Sequence, residues 1–228
     1  YNITCYIKLN GQLDVDKLQR SLDWIAQRQQ SLITTFDEAD GDPLQIVNPD
    51  MRIKMQLIDL SQTPHTDTNS RISQEICNES EHLFDLTSGP LMRARLLHVS
   101  SEYHVLVLVM HHIISDGWSI GVLVSELFAT YKSMLGGQDP ALPALDSQYV
   151  DYSARQSSWM GSDEYRQQLD YWEKQLSDLP LLELPVDKTR PAVKQYKAGI
   201  EYFTLDRSTS DQLNLFCAEQ GVTLYMLV

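Results

Sequence analysis

The sequence predicts an α/β fold, an α+β two-layer sandwich in which helices pack on one side of a mixed β-sheet. Three observations lead there. The run HVLVLVM, residues 104 to 110, is apolar from Val105 onward, as a central strand covered on both faces must be. Apolar residues recur at helical spacing in two stretches: Val15, Leu18, Leu22 and Ile25, then Ile120, Leu123, Leu127, Tyr131 and Met134. Strand-like and helix-like segments mix without strict βαβ order, and a short turn at 100 to 103 joins two strand-like runs as a tight hairpin.

The elements follow in order. Residues 3 to 9 alternate, with Ile3, Cys5, Ile7 and Leu9 on one face. Asp14 supplies an N-cap for the first helix. SLITTF (31 to 36) reads as a strand, and the turn-rich EADGDP leads to a short strand at 44 to 47. Ile53, Met55 and Leu57 alternate in the next strand. Residues 67 to 82 form a helix with Ile72 and Ile76 inward. FDLTSGPL (84 to 91) is a loop entering a strand at 91 to 99, which the turn joins to the apolar run. After Gly117 the period becomes helical, and Gly136-Gly137 stops that helix.

Residues 138 to 162, with Pro140, Pro143 and Gly161, read as looser chain. A helix at 163 to 178 carries Tyr165, Leu169, Trp172 and Leu176 on one face. LPLLELPVDKTRP (179 to 191) is an extended connector. A strand at 199 to 205 and a helix started by Ser208 come last. Both ends of the chain, YNITCYIKL and VTLYMLV, read as cuts within a longer protein.

Composition narrows the partners. A formal charge of −13, with no Lys/Arg cluster, argues against nucleic acid and anionic membrane. No apolar run reaches the ~18 residues a bilayer span needs, and no signal peptide opens the chain. Cys5, Cys77 and Cys217 lie far apart without paired spacing, which fits reduced thiols and a cytoplasmic location.

One segment carries chemistry. MHHIISDGWS (110 to 119) places His111, His112, Asp116 and Gly117 on the loop between the apolar strand and a helix N-terminus, a junction that often bears function. Average residue frequencies put a chance H-H-x-x-x-D-G in a chain of this size on the order of one in a thousand. A metal site needs three or four converging ligands, and the other histidines (His65, His82, His98, His104) show no ligand spacing with the loop. A serine triad needs a nucleophile signal such as G-x-S-x-G, which is absent.

A base acting on a bound substrate fits better. Imidazole titrates near ~6.5, so a neutral fraction accepts a proton at physiological pH. Adjacent residues in extended chain point oppositely, so one histidine faces a channel while its neighbour turns inward. Asp116 then fixes the loop by hydrogen bonds or an ion pair. Gly117 admits close approach of backbone to substrate, and the helix N-terminus favours developing negative charge.

The loop resembles the third motif of condensation domains of nonribosomal peptide synthetases, members of the chloramphenicol-acetyltransferase-like superfamily, at every defined position. YNI with LNGQLD, FDLTSGPLMRARLL, YVDYSA (149 to 154), YWEKQLSDLPLLELPVDKTRP and GVTLYMLV also look like family segments, in the expected order. Trp118-Ser119-Ile120 after Asp-Gly favours condensation over epimerisation domains, which continue V-S-W. Heterocyclisation domains carry aspartates in place of the histidines.

The resemblance implies a chloramphenicol-acetyltransferase-like lobe at 1–160 carrying the loop, with 161–228 the start of a truncated second lobe. It implies amide formation between a donor thioester and an acceptor amine held on the 4′-phosphopantetheine of upstream and downstream carrier proteins, beside an adenylation domain, with no cofactor bound by the domain itself. It assigns the proton-handling or orienting role to His112, and loop architecture to His111 and Asp116.

One departure stands out. The family's second motif, R-H-E-x-L-R-T-x-F, is RQQSLITTF here (28 to 36), so Ile33 replaces the arginine thought to pair with the motif aspartate. Asp116 is then expected as a buried carboxylate without its partner, shifted in pKa or served by another cation such as Arg93 or Arg95. That change keeps open a degenerate module that only docks carriers. A free-standing acyltransferase using small acyl thioesters is a further alternative.

Overall fold

A strand, β1 (Asn2–Asn10), opens the chain and is followed by helix α1 (Val15–Arg28), whose N-cap Asp14 accepts the Lys17 N–H. A hairpin, β2 (Thr34–Ala39) and β3 (Asp42–Val47), precedes β4 (Met55–Asp59) and α2 (His65–Ser80). Then come β5 (Met92–Ser100), β6 (Tyr103–His111) and the long α3 (Gly117–Leu135). Helices α4 (Tyr149–Met160), α5 (Asp163–Leu176), α6 (Arg207–Gln220) and the short α7 (Leu224–Leu227) complete the order. The computed structural model describes residues 1–183, 185–189, 192–193 and 203–227. The chain divides into two compact units, Tyr1–Gln175 and Leu176–Val228.

The main sheet has the order β1-β6-β5-β4. β6 pairs antiparallel with β1, Asn2 opposite His111, and with β5, while β4 runs parallel to β5. The sheet is therefore mixed, as expected. β6 is central because every residue from His104 to Met110 is buried. Leu106, Leu108 and Met110 join Met92, Ala94 and Leu96 of β5 under α1 and α3. Val105, Val107 and Val109 face the other way, toward Ile72 of α2. The helices are thus not all on one side, because α2 covers the second face. The inner surface of α2 is hard to read from sequence, since it carries buried Glu75 and Glu79. These pair with Arg95 and Arg93 of β5, Arg95 Nη2 to Glu79 Oε1 at 2.7 Å and Arg93 Nε to Glu79 Oε2 at 2.9 Å.

Local departures have local causes. Residues Gln30–Ile33 form a 3-10 turn, not the start of a strand. The Leu32 N–H bonds back to Gln29 O at 2.9 Å, a local turn bond in place of a ladder partner, and Leu32 and Ile33 are both buried. β4 starts at Met55, not Ile53, because the Gln19 side chain takes Ile53 O at 3.0 Å and Met55 N–H at 2.7 Å in place of a ladder partner. Asp40 and Gly41, at φ 54° and 89°, make the two-residue turn of the β2–β3 hairpin. Asp206, not Ser208, caps α6 by accepting the Thr209 N–H. The chain at 149–160 is helical, in place of the looser chain expected there. The expected strand at 199–205 lies mostly outside the described residues.

His104 is buried at the start of β6, its Nδ1 without a partner among the described residues, with the His98 ring 5.0 Å away. Burial, then the charge of His98, pulls its pKa below the ordinary 6.5, and burial lowers His82 and His111 likewise. The unfolded chain therefore binds protons that the folded chain refuses. Stability is full above pH 6.5 and falls as acid protonates the unfolded histidines. A second loss follows below pH 3.8, where Asp59, held at about 2 chiefly by the Ser61 N–H, stays ionised only when folded. Urea unfolding midpoints measured from about pH 7.5 to about pH 5.5 are expected to drop steadily; a flat profile would refute the histidine part.

Candidate active site

β6 ends at His111, and the sheet ladder delivers the loop that follows. The His111 N–H donates to Leu91 O at 2.9 Å and the His112 N–H to Tyr1 O at 2.8 Å. A tight turn then closes: the Ile114 N–H and the Ser115 hydroxyl both donate to His111 O, at 3.1 and 3.2 Å. Fixing the backbone on both sides sends the two imidazoles in opposite directions.

His111 turns toward Phe84, with ring centroids 6.3 Å apart and edge to face. Its Nδ1 accepts the Ile113 N–H at 3.1 Å, which assigns the ring proton to Nε2 in the neutral form. Burial foremost, with the neighbouring charge of His112 adding, lowers its pKa, consistent with that neutral state. This ring braces the turn.

His112 is exposed, and its ring makes no hydrogen bond among the described residues. It lines a cleft of about 380 Å³. The turn after α1 contributes Gln29, Gln30 and Ser31; the β2–β3 hairpin contributes Phe36, Gln45 and Val47. The first turn of α4 adds Tyr149 and Val150, while Thr34 of β2, the loop residues Ile113, Ile114, Ser115 and Asp116, and Ser119 of α3 complete the lining. The cleft is mostly neutral, amide and hydroxyl groups interleaved with apolar ones.

Asp116 is neither buried nor unpaired. It is the exposed N-cap of α3, its Oδ1 accepting the Ser119 N–H at 2.7 Å while the Ser119 hydroxyl oxygen accepts the Asp116 N–H at 2.7 Å. That reciprocal pair, the Ser119 N–H bond first, lowers the Asp116 pKa. Arg93 and Arg95 are no substitutes for the missing arginine, since both belong to the α2 face of the sheet and pair with glutamates there. Ile33 lies in the hydrophobic core with Leu32 and Ile53. Asp116 therefore needs no cation. Replacing Asp116 by alanine is expected to lower the thermal midpoint by about 2–4 °C, whereas Asp116→Asn, which keeps an acceptor oxygen, loses less than half of that. Differential scanning calorimetry separates the two variants.

Gly117 starts α3 in ordinary helical conformation, and a Cβ added there meets no atom within 4 Å. Its contribution is bare backbone beside open space, not a special dihedral angle. Arg28, kept from the second motif, forms an ion pair with Glu126 of α3 at 3.2 Å that is largely shielded from solvent, and Gln29 Nε2 donates to the same carboxylate at 2.9 Å. That pair fastens the turn at 28–30 to α3.

Gln45 and Val47, on a hairpin separate from the main sheet, are not evident from the sequence; Tyr149 and Val150 fall in the YVDYSA segment, on a helix with no apolar stripe to announce it. The signals available are Asp151, three residues after Gln148, as a helix-start acid and Gly161 as its stop. Among the described residues no group of three or more His, Cys, Asp or Glu converges to hold a metal ion. No helix among them is long and apolar enough to cross a membrane.

Comparison with known proteins gives one family. The model described as "Condensation domain" matches residues 1–228. One of the linear gramicidin synthase proteins of Brevibacillus parabrevis is 37% identical over 99% of the chain, which spans 3% of that protein. Nonribosomal peptide synthetase kk1B of Curvularia clavata is 38% identical over the whole chain, which spans 2% of it. Among solved structures, the X-domain from teicoplanin biosynthesis superposes with a TM-score of 0.81 at 25% identity, over 97% of this chain and 49% of that one. The starter condensation domain of rhizomide synthetase shares the fold, with a TM-score of 0.72 at 20% identity, over 79% of this chain and 43% of its own. The chain therefore spans about half of the X-domain and only a few per cent of the curated relatives.

Proposed function

Since this chain belongs to the condensation-domain family, we propose that it takes part in peptide-bond formation in nonribosomal peptide synthesis. The substrates are a donor acyl or peptidyl thioester and an acceptor aminoacyl amine. Each is carried on the phosphopantetheine arm of a carrier protein, upstream and downstream, with an adenylation domain adjacent in the parent. The domain itself binds no cofactor. Residues 1–160 act as the lobe carrying the histidine loop, and 161–228 begin the second lobe. All three cysteines are free thiols, and we place the reaction in the reducing cytoplasm.

The acceptor nitrogen attacks the thioester carbonyl, the C–N bond forms, and the C–S bond breaks. The nitrogen gives up one proton and the departing sulfur gains one, so the step is balanced without any external reagent. His112 either carries that proton or holds the amine in line for attack. An α-ammonium group with pKa ~8 must be neutral to attack, and imidazole is suited to manage the exchange. Because a thioester is already activated, holding two tethered substrates together supplies a large share of the acceleration.

The observation that carries this reading is the His112 ring, free of hydrogen bonds among the described residues and lining a cleft of about 380 Å³, beside a neighbour bonded the other way. The rival of a carrier-docking module rests on Ile33, and it loses force because Ser119 engages Asp116. The test uses the full-length domain with donor and acceptor amino acids loaded on their carriers, followed by intact-protein mass spectrometry. Amide product on the downstream carrier is the expected result. Two bound carriers and no product with any pair would establish the docking module instead.

A further inference from the structure

Gln148 precedes α4 by one residue, and its side chain reaches back 118 to 120 positions along the chain to the turn after α1. Nε2 donates to the Arg28 carbonyl at 3.0 Å, and Oε1 accepts the Gln30 N–H at 3.2 Å. The two groups it satisfies flank Gln29, whose own side chain, with that of Arg28, holds Glu126 of α3. A continuous set of polar contacts therefore links three walls of the His112 cleft: α3, the turn at 28–30, and the start of α4.

Among the described residues, little else holds α4 in place. None of its residues is buried, so it lacks the apolar anchorage that fixes α1 and α3. A second polar tie runs from Gln45 Nε2 to Ser153 Oγ at 3.0 Å. Directly after Gln148 come Tyr149 and Val150, both in the cleft lining.

A primary amide ends in one donor and one acceptor set to meet a C=O and an N–H of the same turn. Glutamate at this position keeps the acceptor but turns a carboxylate oxygen on the Arg28 carbonyl. Alanine leaves both backbone groups unpaired.

We propose that Gln148 is a positioning residue for the substrate cleft: its paired amide bonds fix the first turn of α4, and with it Tyr149 and Val150, in the lining shared with His112. The role rests on the condensation reading given above. A wall that touches substrate in the same way before and during reaction changes binding and not the chemical step. The signature is a rise in KM without a fall in kcat.

The experiment compares wild-type, Gln148→Ala and Gln148→Glu full-length domains, varying donor-loaded and acceptor-loaded carriers in turn. Gln148→Ala is expected to raise KM for at least one carrier substrate about tenfold with kcat within about twofold, the loss of two ordinary hydrogen bonds. Gln148→Glu, keeping one of the two, falls between it and wild type. A lowered thermal midpoint with unchanged KM and kcat overturns the proposal, leaving Gln148 a structural residue. A fall in kcat alone also overturns it, because the group then acts on the reacting atoms. If wild type itself makes no amide, the condensation reading fails and takes this role with it. If wild type reacts and the variants match it, only the Gln148 assignment falls.

Discussion

His112→Ala is expected to slow amide formation by the full-length domain by about 10²-fold or more, the usual range for losing a positioned proton-transfer group. Its thermal midpoint should stay within about 1 °C of wild type, because substitutions at exposed positions without partners change stability little. Exposure and the absence, among the described residues, of hydrogen bonds to the ring are what separate the two effects. His111→Ala is the contrasting case. It removes the acceptor for the Ile113 N–H and the contact with Phe84, so stability and rate fall together. Single-turnover rates from loaded carriers, read beside calorimetry, distinguish a chemical role from a bracing one. An unchanged rate in His112→Ala would end both the base and the orienting versions of the mechanism.

Glu79→Ala is expected to destabilise the chain by about 3 kcal/mol, measured by urea unfolding. Glu79 is 6% exposed and binds two guanidinium groups, Arg93 and Arg95, between α2 and the sheet. Removing it leaves both cations short of a counter-charge where water reaches them poorly. Arg95 retains Glu75 at 3.5 Å and already has an Nε unsatisfied among the described residues, so it cannot fully re-pair. The arginine side chains are 28% and 21% exposed, which keeps the cost at the low end for a broken buried pair. Adding Arg93→Ala to Glu79→Ala should recover part of the loss, since one stranded charge is then gone. A double variant as unstable as the sum of the two singles would show that the network is not coupled.

Much of this architecture is written in periodicity. The alternation of β1, the apolar run of β6 and the stripes of α1 and α3 produce the sheet and one helical layer directly, because burial on one face repeats at a fixed interval. The opposed histidines are equally legible, since neighbours in extended chain face opposite ways. What stays hidden has its cause in long-range contact. Glu75 and Glu79 look like solvent-facing residues of α2, and only arginines contributed by β5 make their burial tolerable. α4 has no apolar stripe to reveal it. The altered second motif suggests that Asp116 wants an arginine, whereas its partner stands three residues away in Ser119, as a local helix-start pattern. The cleft is assembled from four separate segments, and no short window of sequence contains it.

The pairing of the first strand with the central one has a consequence during synthesis. Asn2 meets His111, and every partner of β1 in the ladder lies between residues 103 and 111. At ~5–20 residues per second, the ribosome makes β1 roughly 5–20 s before β6 exists to receive it. The β5–β6 hairpin closes as soon as it emerges, but the first strand has waited unpaired throughout, its one apolar face uncovered. Chaperone capture of nascent chains is therefore expected to be strongest before His111 clears the exit tunnel, and to decline once the last strand of the sheet has docked.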